Sequence, residues 1–402
     1  MYTAPGSLAE EQIPNQERVK AAMDEARYHL GPLRYAPWLA LKDVTYYDNV
    51  YGTTTDKVSD YTATLGAGLH GYVPLASRLT LGMYAMPEYV WWKDLSNRRG
   101  WNGGYGAGLF GYFNRATLEV KAGASRNLQY VSNEFEIPAD LEDRSVSALF
   151  EVQVVGQLSL FVRGGVDKWR YSQRGLPTDV GSQLAGLDRD ESHVGGGVRL
   201  HFSRDLSLGL GVEQYTTDFV QLNPGSSNSG PAPVAELSAK SGRWSLTVNA
   251  QLLDLKPTGS SNFVPYTGTN GNFRIGFQPA GRATLEYYGG RSLAYSVQPE
   301  IPYYIDERMG LGLQSALGWR STGRVYWETG HDDYAPGSQE GSPRRDDFRT
   351  YGATFNVGLG RFASLVFTGD RTDYTSTVAA YDRAVSRFQV SLQLSSGKAQ
   401  WW

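Results

Sequence analysis

The stretch from Tyr61 to Trp91 constrains the fold most, because its apolar residues recur at every second position for longer than a globular strand runs. Tyr61, Ala63, Leu65, Ala67, Leu69 and Val73 alternate with Thr62, Thr64, Gly66, Gly68, His70 and Tyr72. After Pro74 to Ser77 the rhythm resumes, with Leu79, Leu81, Met83 and Ala85 set against Thr80, Gly82, Tyr84 and Glu88. Strands of about ten residues or more, apolar on one side only, suit a wall between lipid and water.

The rest of the chain repeats this pattern. From Leu33 onward it reads as about eighteen strands near the length a tilted membrane strand needs, beginning with Leu33 to Tyr51 and ending with Arg387 to Leu394. Ala235 to Lys240 is shorter than the pattern wants. The connections sort by length. Asn114–Arg115, Gly156–Gln157, Ser203–Arg204, Ser241–Arg243, Ala280–Gly281 and Gly360–Arg361 are tight turns, and between them fall long polar stretches such as 173–189, 221–230, 256–271 and 333–346. The expected fold is all-β: a closed antiparallel transmembrane β-barrel over residues 33–402. Its short turns and both termini are expected at the periplasmic rim of a Gram-negative-type outer membrane.

The tryptophans are expected to mark two interface belts. Trp38, Trp244, Trp319 and Trp402 fall at the short-turn ends of strands, and Trp91, Trp92, Trp101 and Trp169 at the long-loop ends. Composition agrees. The chain has 47 Gly and 26 Tyr in 402 residues, as strands bent into a closed sheet with aromatic rims require. No run of about eighteen apolar residues exists, so spanning helices are excluded. A net charge of −3 with no basic cluster argues against nucleic acid. Zero Cys excludes disulfides and thiolate metal sites. There is no basic n-region with an apolar h-region: if the protein crosses an inner membrane its leader has been removed, the alternative being a cytoplasmic protein that never had one.

Residues 1–32 read as a separate N-terminal helical segment. Ser7 with Glu10 is a capping-box start, Pro14 breaks it, and a helix from Asn15 carries Val19, Ala22, Met23 and Ala26 on one face before a stop at Gly31–Pro32. It is expected to be a plug, a docking element for periplasmic export partners, or an amphipathic helix resting against the barrel mouth.

Any function must sit on the inward face. Its acidic members are expected to be Glu88, Glu119, Glu151, Asp167, Glu213, Glu236, Glu286, Glu328 and Asp370. Its basic members are Lys121, Arg163, Arg199, Lys240, Arg274, Arg282, Arg324 and Arg387. The near balance disfavours a single-sign filter and favours cross-strand pairs. Inward aromatics Tyr72, Tyr84, Tyr112, Phe161, Tyr288 and Tyr326 would either stack on sugar faces or narrow the bore. Catalysis finds little support. The five histidines lack metal-pair spacing, and His201, near Arg199, has no serine or carboxylate tied to it by sequence. Gly104, Gly106 and Gly108 lie inside a strand with no following helix, and Asp188, Asp190 and Glu191 lack a calcium-loop spacing. No cofactor or metal is expected.

Leu30-Gly31-Pro32-Leu33-Arg34, then Tyr46-Tyr47-Asp48-Asn49-Val50-Tyr51-Gly52, then Ser59-Asp60-Tyr61 resemble the outer-membrane family called β-barrel porin 2. The resemblance implies contact with outer-membrane lipid and lipopolysaccharide, and some members look like outlets of exopolysaccharide export systems. It implies no catalytic or binding residues. Two expectations follow: a conduit, in its sharper version exporting polysaccharide with periplasmic partners, or an anchoring barrel whose closed lumen and loops bind partner proteins.

Overall fold

The structure, a computed structural model, describes residues 3–9, 15–47, 49–51, 57–134, 137–220, 226–259, 261, 263–298, 300–318, 320–336, 344–360 and 362–395. Helix α1 (Asn15–Glu25) precedes a short strand β1 (Tyr28–Leu30). Eighteen long strands follow. They are β2 (Leu33–Tyr47), β3 (Asp60–Ala76), β4 (Leu79–Trp92), β5 (Gly100–Tyr112), β6 (Ala116–Tyr130), β7 (Pro138–Val155), β8 (Leu158–Tyr171), β9 (Arg189–Ser203), β10 (Leu206–Phe219), β11 (Asn228–Ser241), β12 (Trp244–Pro257), β13 (Tyr266–Ala280), β14 (Ala283–Tyr295), β15 (Tyr303–Gly318), β16 (Ser321–Tyr334), β17 (Arg345–Gly358), β18 (Ala363–Ser376) and β19 (Arg383–Ser395). Each pairs antiparallel with the next. The sheet closes because β19 also pairs with β2, as in Val390 with Val44 and Leu394 with Leu39. The result is a closed antiparallel barrel of eighteen strands, with no described helix long and apolar enough to cross a membrane.

The period of two decides which side chains face out. On β3, Leu65 is 55% exposed and Leu69 44%, while Thr62 and Thr64, on the alternate positions, are each 1% exposed. Apolar residues lie on the outside and polar ones inside, the inverse of a soluble core. The alternation breaks once on β2, where Asp43 takes φ 54 and forms a bulge. Inward positions are even up to Lys42 and odd from Thr45 onward.

Strand existence follows the sequence pattern, and several boundaries do not: β2 ends at Tyr47 rather than Tyr51, and β19 begins at Arg383 rather than Arg387. β11 begins at Asn228, well before Ala235, because Pro231 and Pro233 point outward on it and pair with Gln214 and Val212 of β10. Prolines mid-strand suppress the periodic signal without preventing pairing on one side. A second helix, α2 (Thr178–Ala185), occupies the long β8–β9 connection. The N-terminal helix stops at Glu25 rather than at Gly31; Glu10 and Pro14 lie outside the described residues.

The tryptophans divide differently from the expected belts. Trp91, Trp101 and Trp244 are exposed on the outer wall, and Trp244 stacks on Phe277 at 4.3 Å. Trp92 is the next residue on the same strand as Trp91, so the pleat sends it inward, where it is buried against Tyr47 and under Arg98. Trp38 also faces in. Its indole covers Gly68, where a Cβ would come within 2.3 Å of Nε1. Trp169 turns inward beside Arg189. Trp319 and Trp402 lie outside the described residues.

Candidate functional site

The bore is occupied at both ends, and different chemistry holds each occupant. At the short-turn end, Val19 and Ala22 of α1 and Ala26 just beyond it pack on Ala36, Tyr72 and Phe110, with Tyr84 and Tyr112 alongside. Asn15 Nδ2 donates to Glu119 Oε2 at 2.6 Å, and Tyr112 Oη donates to Glu119 Oε1 at 3.0 Å. The preceding residues cross to the opposite wall. Gly6 N donates to Glu328 Oε1, Arg324 Nη2 to Gly6 O and Arg308 Nη1 to Thr3 O, each at 2.9 Å. Gly6, at φ 75, lies so close to Tyr326 that a Cβ would sit 3.0 Å from its ring. The N-terminal segment therefore runs inside the barrel, in contact with Tyr72, Tyr84, Tyr112, Tyr326, Glu119 and Glu328.

Above it the inward charges are paired across strands. Arg163 bonds Glu213 and Glu236, and Arg199 bonds Glu151 and, at 2.6 Å, Glu236. His201 Nε2 lies 2.9 Å from Glu151 Oε1, and no hydroxyl bonds His201 among the described residues. Phe161 lies under both Arg163 and Arg199. Arg274 and Arg324 share Glu286 at 2.9 and 3.2 Å, beside the fully buried Tyr288. Arg387 meets Asp370 at 2.6 Å, and Lys42 meets Glu88 at 2.7 Å. Guanidinium and carboxylate groups bonded to one another in this way cancel locally, so the wall carries both charges without a net sign. Lys121 is inward and half-buried between Gly108 and Ser147. Asp167 faces in opposite Glu191 and Ser145. Arg282 does not line the wall: it sits exposed in the β13–β14 turn, where tight-turn geometry rather than strand parity sets its direction. Asp188, Asp190 and Glu191 each accept a hydrogen bond, from Tyr171 N, Arg170 and Arg189, so these carboxylates serve the protein itself. No acidic or histidine group among the described residues has the geometry of a metal site.

At the long-loop end, the β6–β7 connection folds inward and reaches the strands half-way round the barrel. Asn133 Nδ2 donates to Asp306 Oδ2 at 3.0 Å and Asp332 Oδ1 at 3.4 Å, and Arg383 donates to Asn133 O. Glu134 accepts from Ser296 Oγ at 2.9 Å and Val297 N at 2.8 Å, with Arg344 at 3.9 Å. Burial pushes the Glu134 carboxyl up to about 7, with Asp346 adding to that; the bonds from Val297 and Ser296 and the charge of Arg344 act against it. Val131, Ile137 and Leu141 then pack with Val180 and Leu184 of α2 and with Val297, an apolar cap over the polar bridge.

Solved structures share this architecture. The chain matches OpdK of Pseudomonas aeruginosa with vanillate at TM-score 0.54 and 15% identity, covering 90% of this chain and 98% of that one. It matches P. aeruginosa OccK2 (OpdF) in complex with glucuronate at TM-score 0.54 and 12% identity, covering 90% and 97%. A BenF-like porin from Pseudomonas fluorescens Pf-5 gives TM-score 0.54 and 13% identity, covering 90% and 98%. The fold is the outer-membrane porin barrel. No protein-family model and no curated protein matches the chain. The resemblance to β-barrel porin 2 thus rests on the residues quoted for it.

In this porin barrel the residues that sequence reasoning missed are those of the loop bridge: Asn133, Glu134, Asp306, Arg308, Asp332 and Arg344. Part of that set carried a local signal. Asp306 with Arg308, and Arg344 with Asp346, are opposite charges two apart, which one strand face brings together. Asn133 and Glu134 carried none, because their partners are more than 160 residues away.

Proposed function

We propose that this protein is a substrate-selective channel of a Gram-negative-type outer membrane, admitting small organic anions by diffusion. In this reading the long loops face the exterior, the short turns and both termini face the periplasm, and the outer wall meets lipid and lipopolysaccharide. The observation that carries it is the doubly occupied bore: residues 131–134 reach across one end, and residues 3–9 and 15–25 fill the other, between rows of paired charges. A wide unselective pore would leave that space open, and an anchoring barrel would have no need of a graded polar path. The porins of this fold solved with vanillate and glucuronate suggest carboxylates of that size. Arg163, Arg199, Arg274 and Arg324 offer guanidinium groups that exchange a wall carboxylate for a passing one. Polysaccharide export needs a straight bore that a long chain can thread, and both occupants stand in that path; small-solute uptake fits better. Periplasmic partners are not needed for it, since α1 turns its apolar face to the barrel interior.

Proteoliposomes test this. Glucuronate is expected to enter faster than a neutral sugar of equal size, and a long dextran not at all. No protein-dependent glucuronate flux, together with zero single-channel conductance, would remove the channel reading and favour a sealed anchoring barrel.

A further inference from the structure

The pairing of β13 with β14 stops part-way up the wall. Gly271 and Arg291 are the last partners. Above them, among the described residues, β13 pairs only with β12 and β14 only with β15. The cause lies in the β14–β15 hairpin. Tyr303, Tyr304, Ile305 and Asp306 are buried on both faces of the strand, so the hairpin top leans into the bore, Ile305 packing with Leu253 and Leu255. A like separation opens between β5 and β6 above Gly103 and Arg126, where the β6–β7 hairpin turns inward. That one is filled: Arg174 lies against Gly100 and bonds Asn102 and Asp140.

The β13–β14 seam is flanked by hollows instead. A cavity of about 970 Å³ on the outer wall is lined by Phe273, Tyr287, Met309 and Tyr351, with Arg291 and Arg349. A second, of about 320 Å³, lies inside, lined by Gln251, Ser292 and Arg308 and by Thr3 of the N-terminal segment. Asn270, Gly271, Gly290 and Arg291 line both, so a single layer of chain divides them. Arg291 spans the gap. Its Nη1 donates to Thr269 O at 2.9 Å and Tyr266 Oη at 3.1 Å, while Nε bonds Glu307.

Unpaired strand edges are not tolerated in hydrocarbon, but they are where water and headgroups reach. The seam meets that condition. Met309, Leu311 and Leu313 belong to the outward apolar band, and Arg291, Glu307 and His331 form a polar row directly above it. We infer that the β13–β14 seam is a lateral portal by which a small amphiphilic anion passes from the outer-leaflet interface into the bore, with Arg291 as its latch. The apolar part of such a molecule lies on Phe273, Tyr287, Met309 and Tyr351. Its anionic head meets Arg349 outside, then Asn270 and Arg308 within. This rests on the channel reading above and adds a second entrance to it.

The chain has no cysteine, so Asn270→Cys with Ser292→Cys, the next positions in register, introduces the only thiols. A disulfide or a short bis-maleimide bridge between them closes the seam. Transfer of octanesulfonate, an amphiphilic anion that its tail holds at the membrane surface, is then compared with that of glucuronate in proteoliposomes. Bridging is expected to abolish protein-dependent octanesulfonate transfer and to leave glucuronate transfer unchanged, which also reports an intact barrel. Arg291→Ala is expected to raise octanesulfonate transfer alone. Octanesulfonate transfer that survives bridging, or equal loss of both solutes, overturns the portal. Absence of glucuronate transfer in the unbridged protein overturns the channel reading instead.

Discussion

The two ends of the bore lean on different chemistry, although Asn15 and Gly6 at the first are also hydrogen-bonded to Glu119 and Glu328. At the short-turn end α1 presents Val19, Ala22 and Ala26 to Ala36, Tyr72 and Phe110, an apolar contact that depends on area and shape. At the long-loop end Asn133 and Glu134 are held by Asp306, Asp332, Ser296, Val297, Arg344 and Arg383, a contact that depends on direction and charge. Apolar packing does not titrate. A buried carboxylate network does, so one end is expected to behave as a fixed fitting and the other as an element that responds to conditions.

The largest effect is expected from removing the fixed one. A chain beginning at Ala26 loses the α1 packing and the bonds of Thr3, Gly6 and Asn15, while all eighteen barrel strands remain. Single-channel conductance in planar bilayers should rise severalfold. Unchanged conductance would mean that the segment lies beside the conducting path and would end the comparison.

Next comes the anchor beneath the N-terminal segment. Glu286 is nearly buried and accepts from Arg274 and from Arg324, which in turn holds Gly6 O. Replacing it, Glu286→Gln, leaves two guanidinium groups short of a counter-charge, and breaking a buried pair in this way costs about 3–5 kcal/mol. A lowered temperature of barrel unfolding and a shift of the reversal potential toward anions are expected together. A stability loss with unaltered ion selectivity would show these arginines to be outside the solute path.

The responsive end is tested by pH. Glu134 keeps its proton in the folded protein over the range where an undocked loop has already lost it, since burial raises the carboxyl to about 7. Docking of residues 131–134 is therefore most favoured below the ordinary carboxylate range and weakens as pH rises through about 7. Each unit of such a shift changes the docked-to-open ratio about tenfold, so channel conductance should be higher and noisier at pH 8 than at pH 5. In Glu134→Gln that dependence should flatten. A dependence of opposite sign, or one that persists in the variant, would assign the titration to another group.

How much of this was legible in the sequence follows from the range of each interaction. The barrel was, because a period of two over Tyr61 to Trp91 depends only on neighbours in the chain. The inward ion pairs were legible as a set, though not as partners: Arg163 finds Glu213 and Glu236, 50 and 73 residues on, only once β8 to β11 lie in register. The assignment of Trp91 and Trp92 to one belt failed against the pleat that the same alternation implies. Of the loop bridge only the charge pairs two residues apart, Asp306 with Arg308 and Arg344 with Asp346, left a local trace; that the hairpin tops leave the wall, opening the β13–β14 seam, is marked by nothing local in Tyr303 to Asp306.

The smallest effect sharpens the fixed end at one side chain. The Tyr326 ring is held between two glycines: a Cβ at Gly352 would lie 2.1 Å from Cζ, and one at Gly6 would lie 3.0 Å from the same atom. Gly352 pairs with Tyr326 across β16 and β17, so the wall cannot give way, and Gly352→Ala must push the ring toward the N-terminal segment. Overpacking of this kind costs about 1–3 kcal/mol. Because the displaced ring meets Gly6, whose amide bonds Glu328 and whose carbonyl accepts from Arg324, part of that cost should appear as looser seating of residues 3–9. A modest fall in unfolding temperature is expected together with a small rise in conductance. In a chain beginning at Ala26 the same substitution should leave conductance unmoved, since the ring then turns into open bore. If Gly352→Ala shifts conductance equally in both backgrounds, Tyr326 acts on the bore directly and not through the segment that it holds.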